Sequence, residues 1–244
     1  MKYNEIIEKE LTKDKDGYYH GDFTINTEHK YAIVFIGVGW GDMIHPLSML
    51  IGMGMEKIII MHEFEFTFKV KKSDNETFGN QLVWVLKQFD FCNIKDVLGV
   101  KPKNQNEAIQ KLTKTKPKLE KFKNVELTPT DQITYQFNRN SEMEWKNVNE
   151  TFAMAIIKMH HPLCDYKRLT YRNGIRKAYS IMLKSKYHYS YWGSTMWLAF
   201  AMGIPMVIMH SSYDIEIMHN HLKYNLSLKN IKDSNIHPLR INRK

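Results

Sequence analysis

Continuous apolar runs alternate with helical periodicity along this chain. Residues 31–37 (YAIVFIG) and 56–62 (EKIIIMH) are apolar enough to predict two buried parallel strands. The segment 43–54 between them predicts a helix, and a second helix is predicted at 78–91, where apolar residues recur on one face. These segments predict a βαβ unit with a right-handed crossover, whose first turn lies at the carboxyl end of the sheet.

The C-terminal half repeats this alternation of strands and helices. Gly203 and Pro205 directly follow one predicted helix, and Gly203 is placed to cap it. The order strand, tight turn, helix, strand is clearest in the last part of the half. The predicted segments are a strand at 132–137, helices at 150–159 and 175–183, a strand at 187–190, a helix at 196–202 and a strand at 206–209.

These elements predict an α/β protein of two Rossmann-like halves, each a parallel sheet flanked by helices. We expect an N-terminal half at 31–125 and a C-terminal half at 126–244. The polar residues 1–30 predict a peripheral N-terminal segment. The Lys-rich stretch 93–125 predicts an inter-domain connector or an exposed insertion.

Composition excludes several classes of protein. The chain has 43% hydrophobic and 25% charged residues, and no apolar run approaches the roughly 18 residues of a membrane span. The charged N-terminus does not resemble a signal peptide. Cys92 and Cys164 lie far apart, which argues against a disulfide framework or a cysteine zinc site and favours the cytoplasm. His160 and His161 are adjacent and would point apart, so we expect no metal site.

The formal net charge of +9 indicates an anionic partner without identifying it. The basic residues cluster in three runs, at 100–126, 166–188 and 223–244, and the second contains no acidic residue. Each run taken alone is typical of a solvated helix face. Together they favour an anion-facing groove for a nucleotide, a nucleic acid or another anion.

The turn at Gly193, Ser194 and Thr195 is one candidate site. A helix that begins here presents unpaired N–H groups and the positive end of its dipole. Gly193 would let a phosphate approach the backbone, while Ser194 or Thr195 could cap the helix or bind a phosphate oxygen. The same residues also fit an ordinary capped helix that follows a strand.

A second candidate site follows the first predicted strand. Gly37, Gly39 and Gly41 alternate there, which is not the dinucleotide fingerprint but permits a wide turn beside a cleft. Asp42 at this turn could act as a general base toward a hydroxyl, or it could cap the helix that begins at Met43. The two roles can coexist in one residue.

Three stretches resemble glycosyltransferases of GT-B architecture, and especially the bacterial heptosyltransferase-like group. Residues 41–48 (GDMIHPLS) resemble that group's Gly-Asp-x-x-His-x-x-Pro element, although Pro46 here follows the His directly. Residues 133–145 are similar to the strand, loop and Trp that open its second domain. Residues 190–205 (SYWGSTMWLAFAMGIP) are similar to its donor-binding helix. The matched pieces cover about 60 residues at most, and the third is the most specific.

The resemblance implies a metal-independent transfer of a sugar from a nucleotide-sugar donor, which would bind between the halves, with no other cofactor. Asp42 would be the catalytic base on the acceptor side. The loop at 138–145 would approach the phosphates, with Arg139 or Lys146 in place of a Lys of the family. The implied donor residues are Gly193, Ser194, Thr195, Arg139 and Trp192, and the implied acceptor or anion-binding residues are Gly39, Gly41, His45, Arg168, Arg172 and Arg176.

Two acceptors and one non-enzymatic function are compatible with these features. The Lys, Asn, Ile and Met content resembles that of proteins from AT-rich phages, some of which glycosylate hydroxymethylated cytosine in DNA; the protein would then work in the host cytoplasm. A lipopolysaccharide or other glycan is the alternative acceptor. The third hypothesis is a nucleotide- or nucleic-acid-binding protein on a transferase scaffold that no longer catalyses.

Overall fold

The chain folds into two compact units, Met1–Lys123 and Asn124–Lys244, and is therefore divided close to the boundary expected after residue 125. The computed structural model describes residues 1–37, 39–62, 71–73, 76–100, 117–137, 148–170, 174–191, 193–210 and 236–240, with the backbone alone at 71–73, 76, 210 and 236–240. Each unit contains a sheet with parallel strands and flanking helices, which confirms the α/β class.

Unit 1 consists of the segments up to Lys123. Its helices are α1 (Tyr3–Glu10), α2 (Trp40–Gly52) and α3 (Phe78–Gln88). Its strands are β1 (Thr12–Lys13), β2 (Tyr19–His20), β3 (Thr24–Asn26), β4 (Tyr31–Phe35), β5 (Lys57–His62), β6 (Lys71–Ser73), β7 (Glu76–Thr77) and β8 (Ile94–Leu98).

The main sheet of unit 1 has the order β3-β4-β5-β8, in which β4, β5 and β8 are parallel and β3 is antiparallel to β4. The predicted βαβ unit is formed by β4, α2 and β5. Strand β8 lies within the stretch that the sequence assigned to a connector or insertion. It is an edge strand with the sequence IKDVL and only Val97 buried, so it lacks the apolar run that identifies β4 and β5.

Helix α1 covers one face of this sheet, which differs from the expectation that residues 1–30 are peripheral. Ile6 is fully buried, and Ile7 and Leu11 are also buried. They form one hydrophobic cluster with side chains of β4, β5 and β8, namely Tyr31, Ile33, Phe35, Ile59, Met61 and Val97. Two apolar residues of a short charged helix and the apolar residue that follows it thus pack on this face, together with the partly buried Tyr3 and Tyr19.

Residues 117–123 run along α2 and α3. The Ser48 hydroxyl donates to the carbonyl oxygen of Glu120 at 2.6 Å, and the Glu120 N–H donates to the Ser48 carbonyl oxygen at 3.0 Å. The approach is closest at Gly52, where a Cβ atom would lie 1.7 Å from the carbonyl oxygen of Lys118. A residue with a side chain therefore does not fit at position 52, because the backbone at Lys118 occupies that space.

We expect Gly52→Ala to lower the free energy of unfolding of unit 1 by about 1–3 kcal/mol. In an open helix the same change would add roughly 1 kcal/mol of stability, because alanine has the higher helix propensity. Urea unfolding of the variant and the wild type measures the sign. A stabilised variant would show that the segment 117–123 does not pack against α2 in solution.

Unit 2 consists of the segments from Asn124 onward. Its helices are α4 (Glu150–His160), α5 (Ile175–Met182) and α6 (Ser194–Met202). Its strands are β9 (Gln132–Gln136), β10 (Asp165–Arg168), β11 (Ser185–Ser190), β12 (Met206–His210) and β13 (Ile236–Arg240). Strand β10 was not anticipated from the sequence, because the exposed edge sequence DYKR carries no apolar run.

The five strands described in unit 2 are parallel and have the order β10-β9-β11-β12-β13. The chain therefore moves from β9 to β10 on one side and then returns to place β11 on the other side of β9. Strand order reverses between β9 and β11. In open α/β sheets, ligands bind outside the carboxyl ends of the strands at such a reversal.

The two faces of this sheet are covered by different helices. Helix α4 packs Ala153 and Ile157 in one cluster with Ile133 and Tyr189. The opposite face contacts α5 and α6, because Gln132 Nε2 donates to the carbonyl oxygen of Ile181 at 2.7 Å and His188 contacts Thr195. Within the described ranges, no helix combines the length and the apolar character needed to cross a membrane.

Candidate functional site

Helix α6 begins at the carboxyl edge of the unit 2 sheet, directly after β11. Gly193 is its N-cap residue, and the N–H of Trp197 donates to the Gly193 carbonyl oxygen at 3.4 Å. The N–H groups of Ser194, Thr195 and Met196 precede that bond, so they have no partner within the helix. At its other end, Gly203 adopts the left-handed conformation with φ 77°, which confirms the predicted cap.

Gly193 is explained by a neighbouring side chain. A Cβ atom on Gly193 would lie 2.6 Å from Cε2 of the Tyr191 ring. Its φ of −169° is extended backbone that any residue adopts, so space and not conformation excludes a side chain. The sequence analysis predicted a different reason for this glycine, namely that it lets a phosphate approach the backbone. In the structure, the Tyr191 ring occupies the space where a side chain would be.

The Thr195 hydroxyl is engaged inside the unit. Thr195 is 1% exposed, and its Oγ1 lies 3.1 Å from Nε2 of His188. The other ring nitrogen of His188 lies 3.1 Å from Oγ1 of Thr134 on β9. Thr195 was predicted to contact phosphate, and with its hydroxyl turned inward only its backbone N–H is directed at the carboxyl edge.

Burial keeps the His188 ring neutral. His188 is fully buried, and this desolvation lowers its pKa from 6.5 to about 3. On the α4 face of the sheet, His161 Nε2 lies 2.8 Å from the Tyr189 hydroxyl. Burial also lowers the pKa of His161 and raises the pKa of Tyr189 to about 12. Neutral forms of all three groups therefore prevail near pH 7.

Among the residues that the structure describes, two buried oxygen atoms at the carboxyl ends of β9 and β11 have no hydrogen-bond partner. They are Oε1 of Gln136 and Oγ of Ser190, and Ser190 is fully buried. Gln136 and Ser190 are paired in register, and Ser190 lies on the same face of β11 as His188, two residues closer to the start of α6. An unpaired buried polar group costs about 1–3 kcal/mol, so this arrangement costs stability unless a ligand or water satisfies it.

Two of the predicted anion-binding arginines lie at the same edge. Arg168 ends β10, and Arg176 is the second residue of α5, the helix that follows β10. The Arg168 guanidinium is half exposed and forms an ion pair with Glu150 at 3.1 Å. It therefore joins β10 to the first turn of α4, while part of its surface stays accessible.

Acidic residues outside the basic run at 166–188 neutralise part of its charge. Glu150 pairs with Arg168, Asp165 pairs with Lys167 at 2.9 Å, and Asp131 lies 3.5 Å from Lys186. The run itself contains no acidic residue, but Asp165 directly precedes it and the fold brings Asp131 and Glu150 to it. The excess positive charge of this region is therefore smaller than the sequence indicates.

In unit 1, the predicted catalytic base Asp42 is a helix-capping residue. Helix α2 begins at Trp40, three residues earlier than expected, and Asp42 is its third residue. The Asp42 Oδ2 accepts a hydrogen bond from the N–H of Gly39 at 3.2 Å. Asp42 is exposed, so its carboxylate is accessible to solvent while it caps the helix.

The other predicted residues of this turn lie within or directly before α2. Gly39 is its N-cap residue and Gly41 is in its first turn, and both are half-buried. His45 is buried at 7% exposure on the second turn. An acceptor could therefore meet Gly39, Gly41 and Asp42 at the surface, whereas His45 packs into the interior.

Four predicted site residues, Arg139, Lys146, Arg172 and Trp192, lie outside the described residues, as does the predicted phosphate-contacting loop at 138–145. Among the residues whose side chains the structure describes, no group of three His, Cys, Asp or Glu could hold a metal ion.

Sequence reasoning missed the polar residues inside the unit 2 sheet. Thr134, Gln136, His188 and Ser190 alternate with apolar or aromatic residues in β9 and β11, and all four face α5 and α6. Their alternation at every second position of 132–136 and 188–190 was the available signal. A polar residue in a buried parallel strand needs a partner, and a helix start or a ligand can supply one.

Comparison with known proteins gives no relative from which a function could be transferred. No protein-family model, no curated protein and no solved structure matches the chain. The function of this chain is therefore inferred from the geometry at the carboxyl edge of unit 2 and from the motifs of its sequence.

Proposed function

We propose that this protein is a glycosyltransferase that binds a nucleotide sugar at the carboxyl edge of the unit 2 sheet. One observation supports the binding site above all others. Strand order reverses between β9 and β11, and the carboxyl ends of these two strands hold the unpaired oxygens of Gln136 and Ser190 beside the start of α6.

The start of α6 supports a diphosphate as the bound group. The N–H groups of Ser194, Thr195 and Met196 lie outside the helical hydrogen bonds, and they carry the positive end of the helix dipole. Arg168 and Arg176 lie at the same edge and add positive charge. An anion with several acceptor oxygens satisfies such a set of donors better than a neutral ligand does.

The transfer step rests on the resemblance of residues 41–48 and 190–205 to glycosyltransferases of GT-B architecture. The acceptor oxygen forms a bond to the anomeric carbon while the bond from that carbon to the diphosphate oxygen breaks. The nucleoside diphosphate leaves with the bonding electron pair, and the Asp42 carboxylate takes the proton of the acceptor hydroxyl. Helix N–H groups and arginines stabilise the charge that develops on the leaving group.

We expect Ser194→Asp to weaken nucleotide binding at least tenfold without destabilising the protein. An aspartate in the first turn of α6 interacts favourably with the helix dipole by about 0.3–1 kcal/mol. The same carboxylate repels a diphosphate by several kcal/mol at contact distance in a partly solvated site. Titration with UDP, GDP, ADP and CMP, each followed by the unfolding midpoint, measures the effect.

The matched control is Ser194→Asn, because the asparagine side chain is nearly the same size as aspartate but carries no charge. The affinity of this variant for the nucleotide should differ from that of the wild type by a factor of only about two to three. For the wild type, a nucleotide at 100 times its Kd raises the free energy of unfolding by about 2.7 kcal/mol. Equal binding by the Asp and Asn variants, or no stabilisation of the wild type by any nucleotide, would contradict the proposed site.

A nucleotide-binding protein without catalysis is the second candidate. It is favoured by the hydrogen bond from Gly39 to Asp42, which gives the carboxylate a structural use. Binding of a nucleotide together with no turnover of any nucleotide sugar would favour this candidate over the transferase.

The acceptor class can be separated by experiment. A DNA acceptor predicts transfer to duplexes that contain hydroxymethylcytosine and binding that weakens steeply with salt. A glycan acceptor predicts transfer to lipopolysaccharide or oligosaccharide without that salt dependence. Because Asp131, Glu150 and Asp165 neutralise part of one basic run, the charge that favours DNA is reduced in unit 2.

A further inference from the structure

We propose that His188 is a positioning residue for the ligand site, because it holds the first turn of α6 by joining Thr195 on the helix to Thr134 on β9. This inference rests on the proposed function of the carboxyl edge of unit 2. It assigns a role to a residue that touches neither the ligand nor the reacting atoms.

The His188 ring spans three elements. It belongs to β11, its Nδ1 lies 3.1 Å from Thr134 Oγ1 on β9, and its Nε2 lies 3.1 Å from Thr195 Oγ1 on α6. A neutral imidazole offers one N–H and one lone pair, and each hydroxyl can donate or accept. Both contacts are therefore satisfied whichever ring nitrogen carries the proton.

Helix α6 needs such a directional contact. Every residue from Thr195 to Met202 is buried, so apolar packing surrounds the helix on all sides. Apolar packing resists voids but has little preference for one rotation of the helix about its axis, whereas a hydrogen bond requires a defined direction. The bond from His188 to Thr195 is made in the first turn, where rotation would redirect the unpaired N–H groups.

The orientation of those N–H groups determines whether they reach a ligand. Thr195 is the second residue of α6 and lies between Ser194 and Met196, whose N–H groups also lack helical partners. Fixing the Thr195 side chain to the sheet therefore fixes all three donors. The polar row inside the sheet and the half-buried start of the helix act as one unit.

The test compares two valine variants that remove one hydrogen bond each from the same ring. Thr195→Val removes the bond to α6, and Thr134→Val removes the bond to β9. We expect Thr195→Val to weaken binding of whichever of UDP, GDP, ADP and CMP the wild type binds by about five- to tenfold. Thr134→Val keeps the bond to α6 but frees the ring from β9, so it should weaken binding by a smaller factor, about two- to threefold. Thr195→Ser restores the hydroxyl and should restore affinity to within about twofold.

Hydrogen exchange measures the stability of the first turn of α6 without a ligand. The Trp197 amide, which donates to Gly193, should exchange about tenfold faster in Thr195→Val than in the wild type, while amides of α4 change less. If the wild type binds no nucleotide, the proposed function fails, and this exchange measurement still decides whether His188 holds the helix. Equal losses of affinity in both valine variants, or an unchanged Trp197 amide, would overturn the inference.

Discussion

Replacing Asp42 with asparagine is expected to lower the rate of sugar transfer by about 10²- to 10⁴-fold, which is the usual contribution of a general base. The asparagine amide cannot take a proton from an acceptor hydroxyl. Its side-chain oxygen can still accept the N–H of Gly39, which lies 3.2 Å from Asp42 Oδ2. The variant therefore separates the two roles of this residue, because capping is kept while proton transfer is lost.

The measurement is turnover with the nucleotide sugar that binds the wild type, together with the affinity for its nucleotide. Affinity should be unchanged, because unit 2 carries the proposed nucleotide site. Asp42→Ala serves as the comparison. It should lose turnover to the same extent and also about 1 kcal/mol of stability, since its methyl group cannot cap α2. Wild-type turnover in the asparagine variant would mean that Asp42 is a cap and not a base.

Acidification from about pH 6.5 toward pH 3 is expected to reduce the stability that His188 contributes to unit 2 by roughly 1 kcal/mol for each pH unit. The unfolded chain binds a proton at His188 below pH 6.5, whereas the folded chain keeps the ring neutral until the pH approaches 3. The unfolded state therefore takes up more protons as the pH falls. Stability from this residue is complete above pH 6.5 and decreases steadily toward pH 3.

The free energy of unfolding is measured at pH 7, 6, 5 and 4 in urea. Hydrogen exchange of the β11 amides reports the unfolding of unit 2, and the change of this free energy with pH gives the slope. His188→Gln is the control, because glutamine does not titrate. The variant should be less stable than the wild type at pH 7, but its stability should fall less steeply with acidification. Other groups, including His161 with its lowered pKa, contribute equally to both proteins. Parallel curves for the two proteins would show that His188 is accessible to protons in the folded state.

The buried strands and their helices were predictable from the sequence, because each produces a local signal. The apolar runs at 31–37 and 56–62 became β4 and β5, and the pattern at 196–203 became α6 with its glycine cap. The edge strands β8 and β10 gave no such signal. Apart from the buried Val97, the residues of IKDVL and DYKR are half or fully exposed, and only pairing with a neighbouring strand makes them strands.

The candidate site was predictable in position but not in detail. The turn that starts α6 follows from the order of strand and helix, and the prediction of Gly193 and Ser194 at this edge needs no long-range information. The inward direction of the Thr195 hydroxyl depends on His188 and Thr134, and Thr134 is distant in sequence. The neutralisation of the 166–188 run depends likewise on Asp131 and Glu150, which no count of charges along the run includes.

The reversal of strand order in unit 2 also has a consequence for folding kinetics. Strands β9 and β11 are neighbours in the sheet, yet Thr134 and His188 are separated by 54 residues along the chain. Closing a long loop costs entropy before any contact repays it, so such pairings form slowly. Strands β11 and β12 are joined by a single helix and can associate early. We therefore expect the seam between β9 and β11, beside which the proposed nucleotide site lies, to be completed after β11 has paired with β12, so that ligand binding would begin late in folding.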